Sequence, residues 1–188
     1  MVSDQKRIIQ NELLPNEDVI WQGSPSLSKI FTKGDIFLIP FSVFWGGFSV
    51  LWFIGATFAG GAFGLFGVPF VIIGLYMIFG RFIVKNFVKR STLYAVTNMR
   101  VLVVRVNSSG IRKSISSAEI KTIPNESTSY GNDGIGDIIF GTIPLGSSIY
   151  LNTGMDYFVG AKHGSTLAFF DIEDCENVFK AYKNVKYQ

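Results

Sequence analysis

Residues 36–80 read IFLIPFSVFWGGFSVLWFIGATFAGGAFGLFGVPFVIIGLYMIFG, and this stretch decides the fold. It lies between Asp35 and Arg81 and holds no Asp, Glu, Lys, Arg or His in 45 residues. It carries 13 of the 28 aromatic residues and 9 of the 20 glycines. A helix rises about 1.5 Å per residue, so 45 residues reach roughly 68 Å, about twice a ~30 Å hydrocarbon core. One crossing cannot use that length, whereas two crossings with a tight turn can. The turn belongs at Ala59-Gly-Gly-Ala-Phe-Gly64, where glycine is densest. Span one is therefore expected near 36–58 and span two near 65–84.

The whole chain has 188 residues, 48% of them hydrophobic but only 16% charged. Soluble domains carry roughly 25% charged residues. The deficit is concentrated in this one block, which excludes a soluble globular fold for the entire chain. Outside it, residues 1–35 have a net charge of −1 and residues 81–188 a net charge of +4. An isoelectric point near 9.0 therefore belongs to the C-terminal part and is too mild to argue for nucleic acid. The polar N-terminal 35 residues argue against a signal peptide. Cys175 is the single cysteine, so no intramolecular disulfide, metal cluster or cofactor site is expected.

Orientation follows from the basic residues beside the spans. Lys29 and Lys33 precede the first, Arg81, Lys85, Lys89 and Arg90 follow the second, and the turn has none. The positive-inside rule then places both termini in the cytoplasm. No ionisable residue lies within the spans, so they read as an anchor rather than an ion pathway. Ala56, Gly60 and Gly64 make a small-xxx-small series that either lets helices approach or simply makes the turn.

From Ser91 onward the hydrophobic period changes to two. Leu93-Tyr-Ala-Val-Thr97 and Val101-Leu-Val-Val-Arg-Val106 are separated only by Asn98-Met-Arg100, a tight hairpin. After a turn at Asn107–Gly110, residues 111–116 alternate again. Further strands are expected after Ile120–Ile123, over 137–143, over 148–151 with 157–159, and over 166–170, forming a sandwich or partly open barrel. The end of the chain is helical in pattern. Asp171 is placed to cap it, acidic residues at 173, 174 and 176 lead it, and Lys180, Lys183 and Lys186 close it. Cys175, Val178, Phe179, Tyr182 and Val185 form its apolar stripe, which makes Cys175 a buried structural thiol.

Seven short strands and a C-terminal helix in about 100 residues outline a pleckstrin-homology (PH) domain. The chain resembles the bacterial PH-like membrane proteins through five elements in order. Leu13-Leu-Pro-Asn-Glu17-Asp-Val-Ile-Trp21-Gln-Gly23-Ser-Pro25 leads, and the apolar block follows. Tyr94-Ala-Val-Thr97-Asn-Met-Arg100-Val and Gly136-Asp-Ile-Ile-Phe-Gly-Thr142 come next, with Ile172-Glu-Asp174 ahead of the last helix. The resemblance implies an α+β membrane protein. Its parts are an N-terminal cytoplasmic segment (1–35), a two-helix transmembrane hairpin (36–84) and a PH-like seven-stranded barrel or sandwich capped by a C-terminal helix (85–188). It implies neither a catalytic activity nor an agreed ligand.

Candidate sites are few. Arg81, Lys85, Lys89 and Arg90 fall on one side of a helix leaving span two. They serve either as binders of anionic headgroups or as ordinary flanking charge. Arg112 and Lys113 add a smaller basic patch, and Arg100 at a hairpin end suits a pairing with a carboxylate. Trp21 can dock on the strands, sit at headgroup level or pack within its own segment. His163 has no nucleophile beside it, and Gly131–Asp137 lacks the Gly-Lys-Ser/Thr ending of a phosphate loop. No catalytic residue is assigned, and an enzyme is not expected. The reading is a membrane-anchored interaction module that binds a protein partner or itself. A sensor of anionic phospholipids and a small subunit of a larger membrane complex are the alternatives.

Overall fold

A computed structural model describes residues 7–106, 113–143, 148–158 and 167–188, with only the backbone of Lys113, Tyr157 and Phe158. Arg112, His163 and the turn at 107–110 lie outside the described residues. The chain divides into two compact units. The first comprises residues 1–29, 87–144 and 163–188, and the second residues 30–86 and 145–162.

The second unit is built on the apolar block. Helical residues continue without a gap from Asp35 to Arg90, one stretch long and apolar enough to cross a membrane, where two separate helices were expected. Its character changes along the way: α1 (Asp35–Gly60), a 3-10 segment (Gly61–Gly67), α2 (Val68–Leu75), a π-helical turn (Tyr76–Gly80) and α3 (Arg81–Arg90). The change at Gly61 coincides with the glycine-rich turn, where Gly61 has φ +53°. Contacts across it run in opposed order. A Cβ on Gly67 would lie 3.1 Å from Phe53 Cα, and one on Gly74 would lie 3.0 Å from Gly46 Cα. At the start of α3, Arg81 pairs with Asp35.

The buried face of α1 is Asp35, Leu38, Ser42, Gly46 and Ser49, a helical stripe of mostly small residues. This is a different small-residue series from Ala56-Gly60-Gly64. Its hydroxyls bond to carbonyls of their own helix, Ser42 Oγ to Ile39 O at 2.9 Å and Ser49 Oγ to Trp45 O at 2.7 Å. Polar groups are thereby satisfied without water. The large side chains face outward instead, among them Phe37, Phe44, Leu51, Phe58, Leu65, Phe66, Ile72 and Phe79.

Residues 148–158 were expected to extend in part. They form turns and a short helix, α4 (Met155–Phe158). The segment is held by helix-side partners: Met155 joins Leu38 and Met77 in a small core, and Tyr76 Oη donates to Gly154 O at 2.7 Å. Gly154 has φ +82°, and a Cβ there would stand 2.1 Å from Arg81 O. Its glycine is required on both counts.

The first unit holds seven strands in two antiparallel sheets, and among the described residues they form no closed barrel. One sheet has the order β1 (Val19–Gly23), β2 (Thr92–Thr97), β3 (Arg100–Val106), β4 (Lys113–Glu119). The other has the order β5 (Glu126–Tyr130), β6 (Gly136–Phe140), β7 (Leu167–Ile172). The N-terminal segment thus contributes a strand, with Gly23 opposite Tyr94 and Gln22 opposite Ala95.

β2 is buried along its entire length, on both faces. Its Tyr94 and Val96 face the main core, with Val101, Val103, Ile138, Phe140, Phe169 and Ile172. Leu93 and Ala95 face the other way and are covered with Leu102 and Val104 by Ile9, from a helical turn at 7–10. Burying such a side chain is worth about 1.5–3 kcal/mol, so both faces add to stability.

The last helix, α5 (Cys175–Lys186), closes the main core through Cys175, Val178, Tyr182 and Val185. It begins at Cys175 rather than after Asp171, because Asp171 is part of β7 and Asp174 turns the chain at φ 52°. Glu176 and Lys180 pair along it at 2.7 Å.

Candidate functional site

The basic residues read as a headgroup site are placed individually by the fold. In the second unit, Arg81 is 1% exposed and Lys85 5%. Arg81 Nη1 bonds to Asp35, its Nε donates to Met77 O at 2.8 Å, and Thr32 N–H and Oγ1 bond to the other Asp35 oxygen at 2.6 and 2.8 Å. Lys85 Nζ donates to Ile30 O at 2.7 Å. In the first unit, Lys89 is 6% exposed and lies 2.8 Å from Asp171, a carboxylate with no exposed surface. Lys89 Nζ also donates to Ser26 O at 2.9 Å and Lys29 O at 2.5 Å, and Lys29 Nζ stands 3.6 Å from Asp171. Arg90 is exposed. Arg81, Lys85 and Lys89 therefore hold the chain to itself.

A third charge pair joins the segment at 12–18 to the β2–β3 hairpin. Arg100 meets Glu17 with two bonds, Nε to Oε1 at 2.9 Å and Nη2 to Oε2 at 3.0 Å. Arg100 Nη2 also donates to Glu12 O at 2.7 Å. Leu14 N–H donates to Glu17 Oε2 at 2.7 Å, and Thr97 Oγ1 donates to Oε1 at 2.8 Å. Burial alone would raise the Glu17 pKa, but the hydrogen bonds from Arg100, Leu14 and Thr97 outweigh it and lower it. Asp18 and Asn98 add two more bonds of 3.0 Å between the same segments. The carboxylate expected for Arg100 is thus Glu17, and the spacing of both motifs serves one clasp.

Trp21 docks on the strands. Its ring centroid lies 5.9 Å from that of Phe169 on β7, and the ring folds over Gly23, where a Cβ would stand 2.6 Å from it. Phe169 is itself stacked on Tyr94 at 4.6 Å and set edge-on to Phe140 at 4.9 Å. Burial raises the Tyr94 pKa, and its hydroxyl accepts the Phe170 N–H at 3.1 Å. Cys175 is buried, with Sγ 3.4 Å from Thr128 Oγ1, and burial raises its pKa. Trp21, Tyr94 and Cys175 all pack against other parts of the same unit.

Among the described residues, no three His, Cys, Asp or Glu side chains gather to hold a metal ion. One open, mostly polar strand among the described residues is β4, of which Lys113 is the first residue. Ser114, Ile115, Ser116, Ser117 and Glu119 are all exposed, and β4 ends its sheet. An end strand presents backbone N–H and C=O groups to any chain that can align with it. Apart from Lys113, sequence reasoning missed this surface. The signal available was a seven-residue strand of mixed polarity with a charge at each end.

No protein-family model, curated protein or solved structure matches this chain.

Proposed function

We propose that the chain is a membrane-anchored, PH-like interaction module that binds a protein partner or another copy of itself. The division of surface character carries this reading. Large apolar side chains face outward throughout 36–80, where no charge occurs, while in the strand-bearing unit one sheet ends in an exposed, mostly polar strand. The helical stretch acts as two crossings, 36–58 and 65–84, folded back at Gly61–Gly67. The opposed contacts of Phe53 with Gly67 and Gly46 with Gly74 support this. The basic flanks support a cytoplasmic side for both termini. Seven strands and a C-terminal helix support the PH-like assignment, and the Glu17–Arg100 clasp gives its motifs a shared physical purpose.

Sensing of anionic lipid has less support, because Arg81, Lys85 and Lys89 are committed to internal carboxylates and carbonyls. Amine-reactive cross-linking of the full chain in vesicles, neutral or anionic, at low and high salt, separates the readings. Discrete protein adducts that form in neutral vesicles as well as in anionic ones are expected. Adducts that require anionic lipid and vanish at high salt would contradict an interaction module and favour lipid sensing.

A further inference from the structure

The sequence of β4, Lys113-Ser-Ile-Ser-Ser-Ala-Glu119, has opposite charges at its two ends, which meet when the strand is set against a reversed copy of itself. All seven residues pair with β3 in unbroken register, from Arg100 opposite Glu119 to Val106 opposite Lys113. The strand has no proline and no bulge, two of the features that blunt a sheet edge, and its two charges stand only at its ends. The other edges differ. β1 carries an irregularity between Val19 and Trp21. β5 has five residues, and its Glu126 is held by Lys186 of α5 at 2.5 Å. The pairing of β7 with β6 is broken between Gly136 and Ile138. Among the described residues, no strand pairs with the outer edge of β4.

Two identical antiparallel strands related by a two-fold axis must have that axis at a residue, since paired residues share one hydrogen-bonding class. An axis at Ser116 pairs all seven positions. It sets Lys113 of each copy opposite Glu119 of the other, Ser114 opposite Ala118, and Ile115 opposite Ser117. Moving the axis to Ile115 or Ser117 leaves one charge facing an uncharged residue and the other beyond the paired segment. With the axis at Ser116, Ile115, 43% exposed, becomes the diagonal neighbour of its own symmetry mate.

We propose that two copies associate through β4 about Ser116, extending the four-stranded sheet of each into one continuous sheet. This rests on the interaction reading above and names the partner as a second copy. The observation that carries it is the opposite charge at the two ends of an open, unbroken strand.

The test uses the full chain in neutral vesicles. At the two-fold axis, Ser116 Cα atoms would lie about 4.5–5.5 Å apart, within disulfide range. Two Ser114 residues would be separated by four strand positions, about 13 Å. Mild oxidation should therefore convert Ser116→Cys to a covalent dimer. Ser114→Cys and the unaltered chain, whose Cys175 is buried, should remain monomeric on denaturing gels. Lys113→Glu in the Ser116→Cys background should lower dimer yield about tenfold, because two attractive pairs become repulsive. Adding Glu119→Lys should restore it.

Equal yields from Ser116→Cys and Ser114→Cys, or no recovery in the double reversal, would overturn the proposal. If amine-reactive adducts of the unaltered chain persist in that event, the wider interaction reading stands and only the β4 pairing is lost. Absence of adducts as well would remove both.

Discussion

Glu17 shows how one residue links two distant parts of the sequence. It accepts from Arg100, Thr97 and the Leu14 N–H, and its side chain is fully buried while that of Arg100 is 16% exposed. Its pKa is lower in the folded chain than the ordinary 4.5. The stabilisation is therefore complete above that value and is lost as pH falls through the lower folded one. Replacing Glu17 by Gln should cost about 2 kcal/mol at neutral pH. Thermal unfolding measured as a function of pH should show that this variant lacks part of the acid destabilisation of the native chain. Lys89 is the parallel case. Lys89→Met leaves the Asp171 carboxylate buried without its 2.8 Å cation and should cost about 3–5 kcal/mol. Adding Asp171→Asn should recover part of that loss in the same unfolding assay. Neither pair could be assigned from the sequence. A charge count sees Lys89 and Arg81 as free bases, because the carboxylates that hold them lie far along the chain.

At the level of elements, local pattern was informative where the partners are local. The stripe Cys175, Val178, Phe179, Tyr182 and Val185 identifies α5, because period 3.6 puts those residues on one face. Leu93–Val106 identifies the β2–β3 hairpin, whose strands are joined by two residues. β1 escaped notice because Val19–Gly23 pairs with a strand some 70 residues later. The 148–158 segment mixes turn residues with apolar ones, and only its docking through Met155 and Tyr76 selects turns and α4 over a strand. Two substitutions probe these packings. Phe169→Ala removes the ring shared by Tyr94, Phe140 and Trp21 and should lower stability by about 3–5 kcal/mol in denaturant unfolding. Gly74→Leu places side-chain atoms against the Gly46 backbone, 3.0 Å from the first added carbon. It should reduce the thermal stability of the detergent-solubilised chain, whereas Gly47→Leu, with open space around it, should not.

On the scale of the whole molecule, the sequence was most legible where composition is most extreme. Forty-five residues without a charge mark a stretch long and apolar enough to cross a membrane. What that length does is set by contacts that composition cannot show. Asp35 with Arg81 and Gly46 with Gly74 bring the two halves together in opposed order, which is why two crossings are proposed for one continuous helical stretch. The most direct test is the side of the membrane reached by each part of the full chain. Reporter fusions at Gln188 and at Gly61 should report opposite sides, cytoplasmic for Gln188 and external for Gly61. A cytoplasmic signal from Gly61 would contradict the two crossings.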